Sequence, residues 1–191
     1  MLNQALNFLL TAVLNLFLLA LLLRFYMQAV RAAYGNPVSQ FVIALTDFAV
    51  RPLRRVIPGL WGLDLATLAL AWVTALLLLL VSLAFGPLKF TGASLSLIPG
   101  LAFWAAVHLL RWLIYIFMGA LIVQVVLSWV NPYSPLMPTL DSMTRPFLRP
   151  VQRWLPTVGN VDLSPLVVLL ACQLLLMTLI AWLEVVALQL L

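Results

Sequence analysis

Four stretches of the chain are predominantly apolar, at about residues 5–30, 65–85, 104–130 and 164–188. About 20 such residues in a helix match a hydrocarbon core of about 30 Å, so each stretch predicts a membrane span. Between the first and second spans the pattern becomes one-sided. Val38, Phe41, Val42, Leu45, Phe48 and Ala49 fall on one helical face, with Ser39, Gln40, Thr46 and Asp47 opposite. Leu136, Leu140, Met143 and Phe147 repeat that arrangement between the third and fourth spans. This periodicity predicts a short amphipathic helix in the headgroup zone or packed on the spans. The expected fold is an all-α membrane protein whose four transmembrane helices form two hairpins, each with an interfacial amphipathic helix.

The polar punctuation also occurs twice. Asn36-Pro37, Asp47 four residues before Arg51-Pro52, Ile57-Pro58 and Asp64-Leu65 recur in order as Asn131-Pro132, Asp141 before Arg145-Pro146, Leu155-Pro156 and Asp162-Leu163. The chain therefore reads as a tandem duplication, residues 1–90 and 91–191, divided within the Gly-, Pro- and Ser-rich segment 86–100. An even number of spans per copy points both copies the same way, related by a pseudo-two-fold along the membrane normal. Asn36 and Asn131 are expected to cap the amphipathic helices, with Pro37 and Pro132 at the first helical position. Pro52 and Pro146 are expected to end them.

Composition supports a membrane protein: 65% of the 191 residues are hydrophobic and 8% charged, with a mean hydropathy of +1.17. The net charge of +5 would suggest nucleic acid in a water-soluble domain. Here Arg31, Arg51, Arg54 and Arg55, with Arg24 at the membrane edge, gather in one inter-span segment and Arg145, Arg149 and Arg153 in the other. Such clustering marks the cytoplasmic side and places both termini and residues 86–100 outside. No nucleic-acid partner is expected. The start of the chain has no basic leader or small-residue cleavage site, so the first span is expected to be retained.

Catalytic and metal chemistry find little to work with. Cys172 lies deep in the last span, and His108 is the one histidine, with no acid or thiol at ligand spacing. No metal or cofactor is expected, and no acid–base or nucleophile arrangement can be assembled for an enzyme. His108 and Arg111, beside Trp104 and Trp112, read as outer interfacial anchors, and Glu184 falls near the outer end of span four.

The remaining polar residues carry the candidate site. Asp47 with Arg51, and Asp141 with Arg145, stand four apart and predict an ion pair in each copy. Arg54, Arg55, Arg149 and Arg153 serve either as topology signal and anionic-lipid anchor, or as a docking face for a protein or a specific anion. Asp64 and Asp162, where spans two and four begin, suit N-caps, with a cation or proton site as the sharper alternative. Gln28 and Gln124 occupy matching positions suited to interhelical pairing. Asn3, Asn7, Thr11 and Asn15 draw one polar stripe along span one, either as interhelical glue or as the lining of a path.

Taken together, these motifs resemble the YggT family of bacterial integral membrane proteins, whose relatives include the YlmG proteins of Gram-positive bacteria, cyanobacteria and plastids. The resemblance covers essentially the whole chain. Copy two holds the full Asp162-Leu163-Ser164-Pro165, copy one reads Asp64-Leu65-Ala66-Thr67, and copy two carries four extra residues between Arg-Pro and Asp-Leu. The resemblance implies links to envelope and osmotic stress, to cell division or nucleoid organisation, and in plastids to cytochrome assembly. The expected function is a non-enzymatic inner-membrane adaptor or assembly factor that docks a membrane or cytoplasmic protein, or anionic lipid, through its two Arg-Pro segments. A homo-oligomer is compatible with this. The alternative is a small transporter or channel with a polar path between the repeats.

Overall fold

A computed structural model describes residues 2–32, 35–59, 62–85, 97–154 and 162–190. The order is α1 (Leu2–Ala29), α2 (Pro37–Leu53), α3 (Leu65–Phe85), α4 (Leu97–Val130), α5 (Met137–Trp154), α6 (Ser164–Leu175), a π-helical turn (Leu176–Ile180) and α7 (Ala181–Gln189). No β-strand occurs among the described residues. Four helices are long and apolar enough to cross a membrane: Gln4–Ala29, Leu65–Phe85, Pro99–Val130 and the composite Ser164–Gln189. The sequence of long, short amphipathic and long helix thus occurs twice. The expected boundary, in residues 86–96, and the Leu155-Pro156 pair lie outside the described residues.

Helices α1 and α3 pack through a small-to-large seam, with Leu18, Leu21 and Leu22 against Ala71, Ala75 and Leu78. Alanines let the backbones approach closely, which matters where lipid is as apolar as leucine. Helix α4 meets α6 and the π-helical turn through larger side chains instead, Phe117, Leu121 and Val168, then Val107, Leu176 and Ile180.

Helix α4 lies obliquely across the first pair. Its residues Trp112–Val123 line a cavity with Leu19, Leu23 and Met27 of α1, while Ala106–Leu113 face Leu65–Trp72 at the start of α3. Trp72 Nε1 donates to the Ala102 carbonyl at 3.2 Å. Across that stretch α4 advances about 30 Å yet stays against the same end of the α1–α3 pair. An upright, side-by-side arrangement would have matched α3 with a different level of α4.

Helix α2 begins as expected: Asn36 accepts the Ser39 N–H at 2.8 Å, with Pro37 at the first helical position. Its buried face, however, is Ser39, Val42, Thr46 and Val50. Val38, Phe41, Leu45 and Phe48 remain exposed. The Phe48 ring lies 5.7 Å from Phe17 on α1. The exposed apolar face therefore points along the span, toward the acyl region, and small polar residues make the helix contact.

Copy two departs from the expectation. Asn131 does not cap α5; its carbonyl accepts the Ser134 N–H at 3.1 Å in a turn, and the helix starts at Met137. Pro52, Pro146 and Pro150 all lie inside helices. Each removes one backbone donor, but all three are exposed, so the freed carbonyls can turn to water or headgroups.

Candidate functional site

The polar residues converge where α1 ends, α2 and α5 begin, and α3 and α6 start. Arg24 lies in the last turns of α1 and is 4% exposed. Its guanidinium donates to Thr46 Oγ1 at 2.8 Å and to Asp47 Oδ1 at 3.1 Å. Asp47 thus pairs with Arg24, and not with Arg51 as the four-residue spacing suggested. A buried guanidinium needs a carboxylate far more than an exposed one does, because water already satisfies Arg51. In copy two no such competitor acts, and Arg145 stays 3.9 Å from Asp141, both about half exposed.

A second knot ties α2 to α3. Arg54 donates through Nε to Asp64 Oδ2 at 3.1 Å and through its terminal nitrogen at 2.5 Å, and it also reaches Gln28 Oε1 at 3.4 Å. Asp64, 4% exposed, accepts the Thr67 N–H at 3.3 Å and the Thr67 hydroxyl. It therefore caps the transmembrane helix, the plainer of its two readings. Burial alone would raise this carboxyl, but Arg54 and the Thr67 donors outweigh it and hold Asp64 below the usual carboxylate range.

Copy two builds the same corner with a neutral donor. Gln152, ten residues before Asp162 as Arg54 is before Asp64, donates to Asp162 Oδ2 at 2.8 Å. The four extra residues are taken up because α5 runs on to Trp154, and four residues add about one turn, returning position 152 to the place of 54. Asp162 Oδ1 accepts the Ser164 N–H at 2.8 Å. Here too burial is outweighed, by Ser164 and Gln152, and the carboxyl lies low. Ser164 itself is the first residue of α6, and Leu163 holds the cap position. Gln124 pairs between helices as expected, accepting from Thr144 at 2.5 Å.

The two copies meet through polar contacts that local spacing does not announce. Asn36 Nδ2 donates to Thr139 Oγ1 at 2.7 Å, and the Tyr26 hydroxyl donates to the Met143 carbonyl at 2.6 Å. Beside them lies a cavity of about 430 Å³, lined mostly by apolar residues of α1, α4 and α5, with Asn36 and Thr139 at one end. On the α1 stripe, Thr11 donates to Asn7 Oδ1 at 3.2 Å within the helix.

Near the middle of α4, Arg111 pairs with Glu184 of α7 at 2.7 Å. His108 stacks on Trp104 and accepts the Trp112 indole N–H at 3.0 Å. The aromatic setting of His108 was expected. The Arg111–Glu184 pair was not, because 73 residues separate the two and no local motif links them.

Four of the five acids are thus ion-paired and Asp162 is hydrogen-bonded. Arg51, Arg55, Arg149 and Arg153 are exposed and have no carboxylate partner among the described residues. Arg54 leaves the candidate docking set, since it holds the α2–α3 corner.

The CCB3/YggT family profile matches residues 3–85 and 103–183, one segment in each half. An uncharacterised protein of Pseudomonas aeruginosa is 38% identical over 176 residues, covering 91% of this chain and 87% of its own. An uncharacterised protein of Vibrio alginolyticus, named for its place in the proC 3′ region, is 31% identical, with coverage of 89% and 90%. The uncharacterised protein YggT of Escherichia coli K12 is 33% identical, with coverage of 87% and 85%. No solved structure matches. With both halves matched and the relatives aligned over most of their length, the chain belongs to the CCB3/YggT family.

Proposed function

We propose that the chain is a non-enzymatic adaptor or assembly factor of the bacterial inner membrane, docking other molecules through the arginines of its two amphipathic helices. The observation that carries this reading is the division of its charge. Acids and inward arginines hold the fold together, while Arg51, Arg55, Arg149 and Arg153 present guanidinium groups with no internal use. A planar guanidinium binds carboxylate or phosphate in bidentate fashion, so such a face suits an acidic partner. The exposed Trp129, Tyr133 and Trp154 near the same segments suit the membrane–water boundary. We place this face in the cytoplasm and both termini in the periplasm on the charge bias alone.

Replacing Arg51, Arg55, Arg149 and Arg153 together by lysine keeps the orienting charge and removes the forks. The variant is expected to insert normally, lose co-purifying partners in mild detergent, and fail to support the stress or division phenotype of a deletion strain. Full complementation with unchanged partners would leave these arginines as charge only and remove the adaptor reading. The transporter alternative draws on the cavity between the halves. Its wall is apolar apart from Asn36, Thr139 and the amphipathic side chains of Trp112 and Tyr115, which suits a hydrocarbon better than an ion. Flux through reconstituted protein is the measurement that would restore that alternative.

A further inference from the structure

We propose that Arg51 and Arg55 form a clasp for the phosphodiester of an anionic bilayer phospholipid, a site belonging to the first copy; this rests on the docking reading above. The two arginines stand four residues apart at the end of α2 and, with Asp47, Phe48 and Pro52, wall a cleft of about 250 Å³. Two like charges, one in the last turn of α2 and one two residues past its end, repel unless an anion lies between them. The chain's own candidates are engaged elsewhere. Asp47 is held by Arg24 at 3.1 Å, and Asp64 is held by Arg54. The cleft is left with two guanidinium groups and a carboxylate already neutralised from behind.

Its shape selects the source of the anion. Phe48 forms one wall, is 74% exposed, and lies against Phe17, which is about 10 Å further into the span than Arg24. The cleft is therefore cationic on its headgroup side and apolar on its acyl side, the gradient of a phospholipid at its glycerol level. A free phosphate or an acidic peptide has no use for the Phe48 wall.

Copy two lacks this arrangement. By the register that matches Gln28 with Gln124, the position of Arg24 is occupied by Ala120. Nothing draws Asp141 away, and it remains 3.9 Å from Arg145. Arg24 thus acts at a distance: by taking Asp47 it leaves Arg51 open.

The test uses the purified full-length protein in mild detergent, with bound lipid counted by native mass spectrometry. Phosphatidylglycerol and phosphatidylcholine of matched chains are offered together. The wild type is expected to prefer phosphatidylglycerol, and Arg51→Gln/Arg55→Gln to lose about 30-fold of that preference, as about two arginines' worth of surface attraction implies. Arg149→Gln/Arg153→Gln is expected to keep it. If the double variant does not fold, Arg51→Gln and Arg55→Gln singly should each lose about 5-fold. Equal losses in both double variants, or none in either, would overturn the clasp. So would displacement of the lipid by millimolar inorganic phosphate, which would mark a free-anion site. Partner co-purification is scored on the same preparations, so loss of lipid preference and loss of docking are read separately.

Discussion

Arg24 and Asp64 show how one residue's burial decides its partner. Both are 4% exposed, and each draws in an oppositely charged residue that local spacing would have assigned elsewhere or left free. Removing one member of such a pair strands the other, so the losses should be coupled. A double-mutant cycle on Arg24→Met and Asp47→Asn is expected to give a coupling of about 1 kcal/mol in thermal or denaturant unfolding, since Asp47 is 41% exposed and partly screened. The cycle on Asp47→Asn and Arg51→Gln should be additive within about 0.3 kcal/mol. Coupling in the second cycle and not the first would reverse the assignment of Asp47. Asp64 was legible as a cap, because Asp immediately before an apolar run is a local signal, whereas Asp162 stands one place ahead of the cap position, Leu163, and accepts the Ser164 N–H from there. Arg54 and Gln152 as their partners were not, since each bond closes only when the chain between them has folded back.

Among the elements, the last span carries a feature that its uniform apolar composition hides. The π-helical turn Leu176–Ile180 holds one more residue per turn than the α-helices on either side. That extra residue sets the rotation of α7 and so brings Glu184 to face Arg111 at 2.7 Å. Deleting Met177 should convert the turn to α-helix and rotate α7 by about 100°, carrying Glu184 away from its partner. The expected result is a loss on the order of 1–2 kcal/mol, since the two side chains are 31% and 24% exposed and so not fully dependent on each other. Replacing both Arg111 and Glu184 by leucine should make the protein insensitive to the deletion at this pair. A deletion that costs the paired and unpaired proteins equally would show that the turn does not serve the pair. Helix α5 teaches the complementary lesson. Pro146 looked like a terminator, yet on an exposed helix the bonds lost at Pro146 and Pro150 meet water, and the helix continues to Trp154.

At the scale of the whole molecule, both amphipathic helices lie at one end, tied by Asn36 to Thr139 and by Tyr26 to Met143. Whichever side of the membrane holds one Arg-bearing segment therefore holds the other. Ser39 is fully buried and would resist labelling on either side, so exposed positions are needed to read the orientation. After Cys172→Ala, Gln40→Cys should resist a membrane-impermeant thiol reagent in intact cells and Gln4→Cys should react. Both positions are exposed. Labelling of Gln40→Cys from outside would place the arginine face in the periplasm and exclude a cytoplasmic partner.

Features that depend on neighbours along the chain can be read from the residues alone. The number and length of the spans follow from unbroken apolar runs that water cannot accept. The Asn-Pro, Arg-Pro and Asp-Leu signals can be read twice in the same order, and the caps at Asn36 and Asp64 follow from donors three residues away. Only the tertiary structure decided which charges are spent and which are spare. Arg24 and Asp47 are separated by 23 residues and Asn36 and Thr139 by 103, and whether such groups meet depends on burial and on the oblique path of α4. In a chain with ten basic and five acidic residues, several pairings satisfy local spacing equally well. Desolvation selects among them, because a buried charge must find its partner while an exposed one can keep its water.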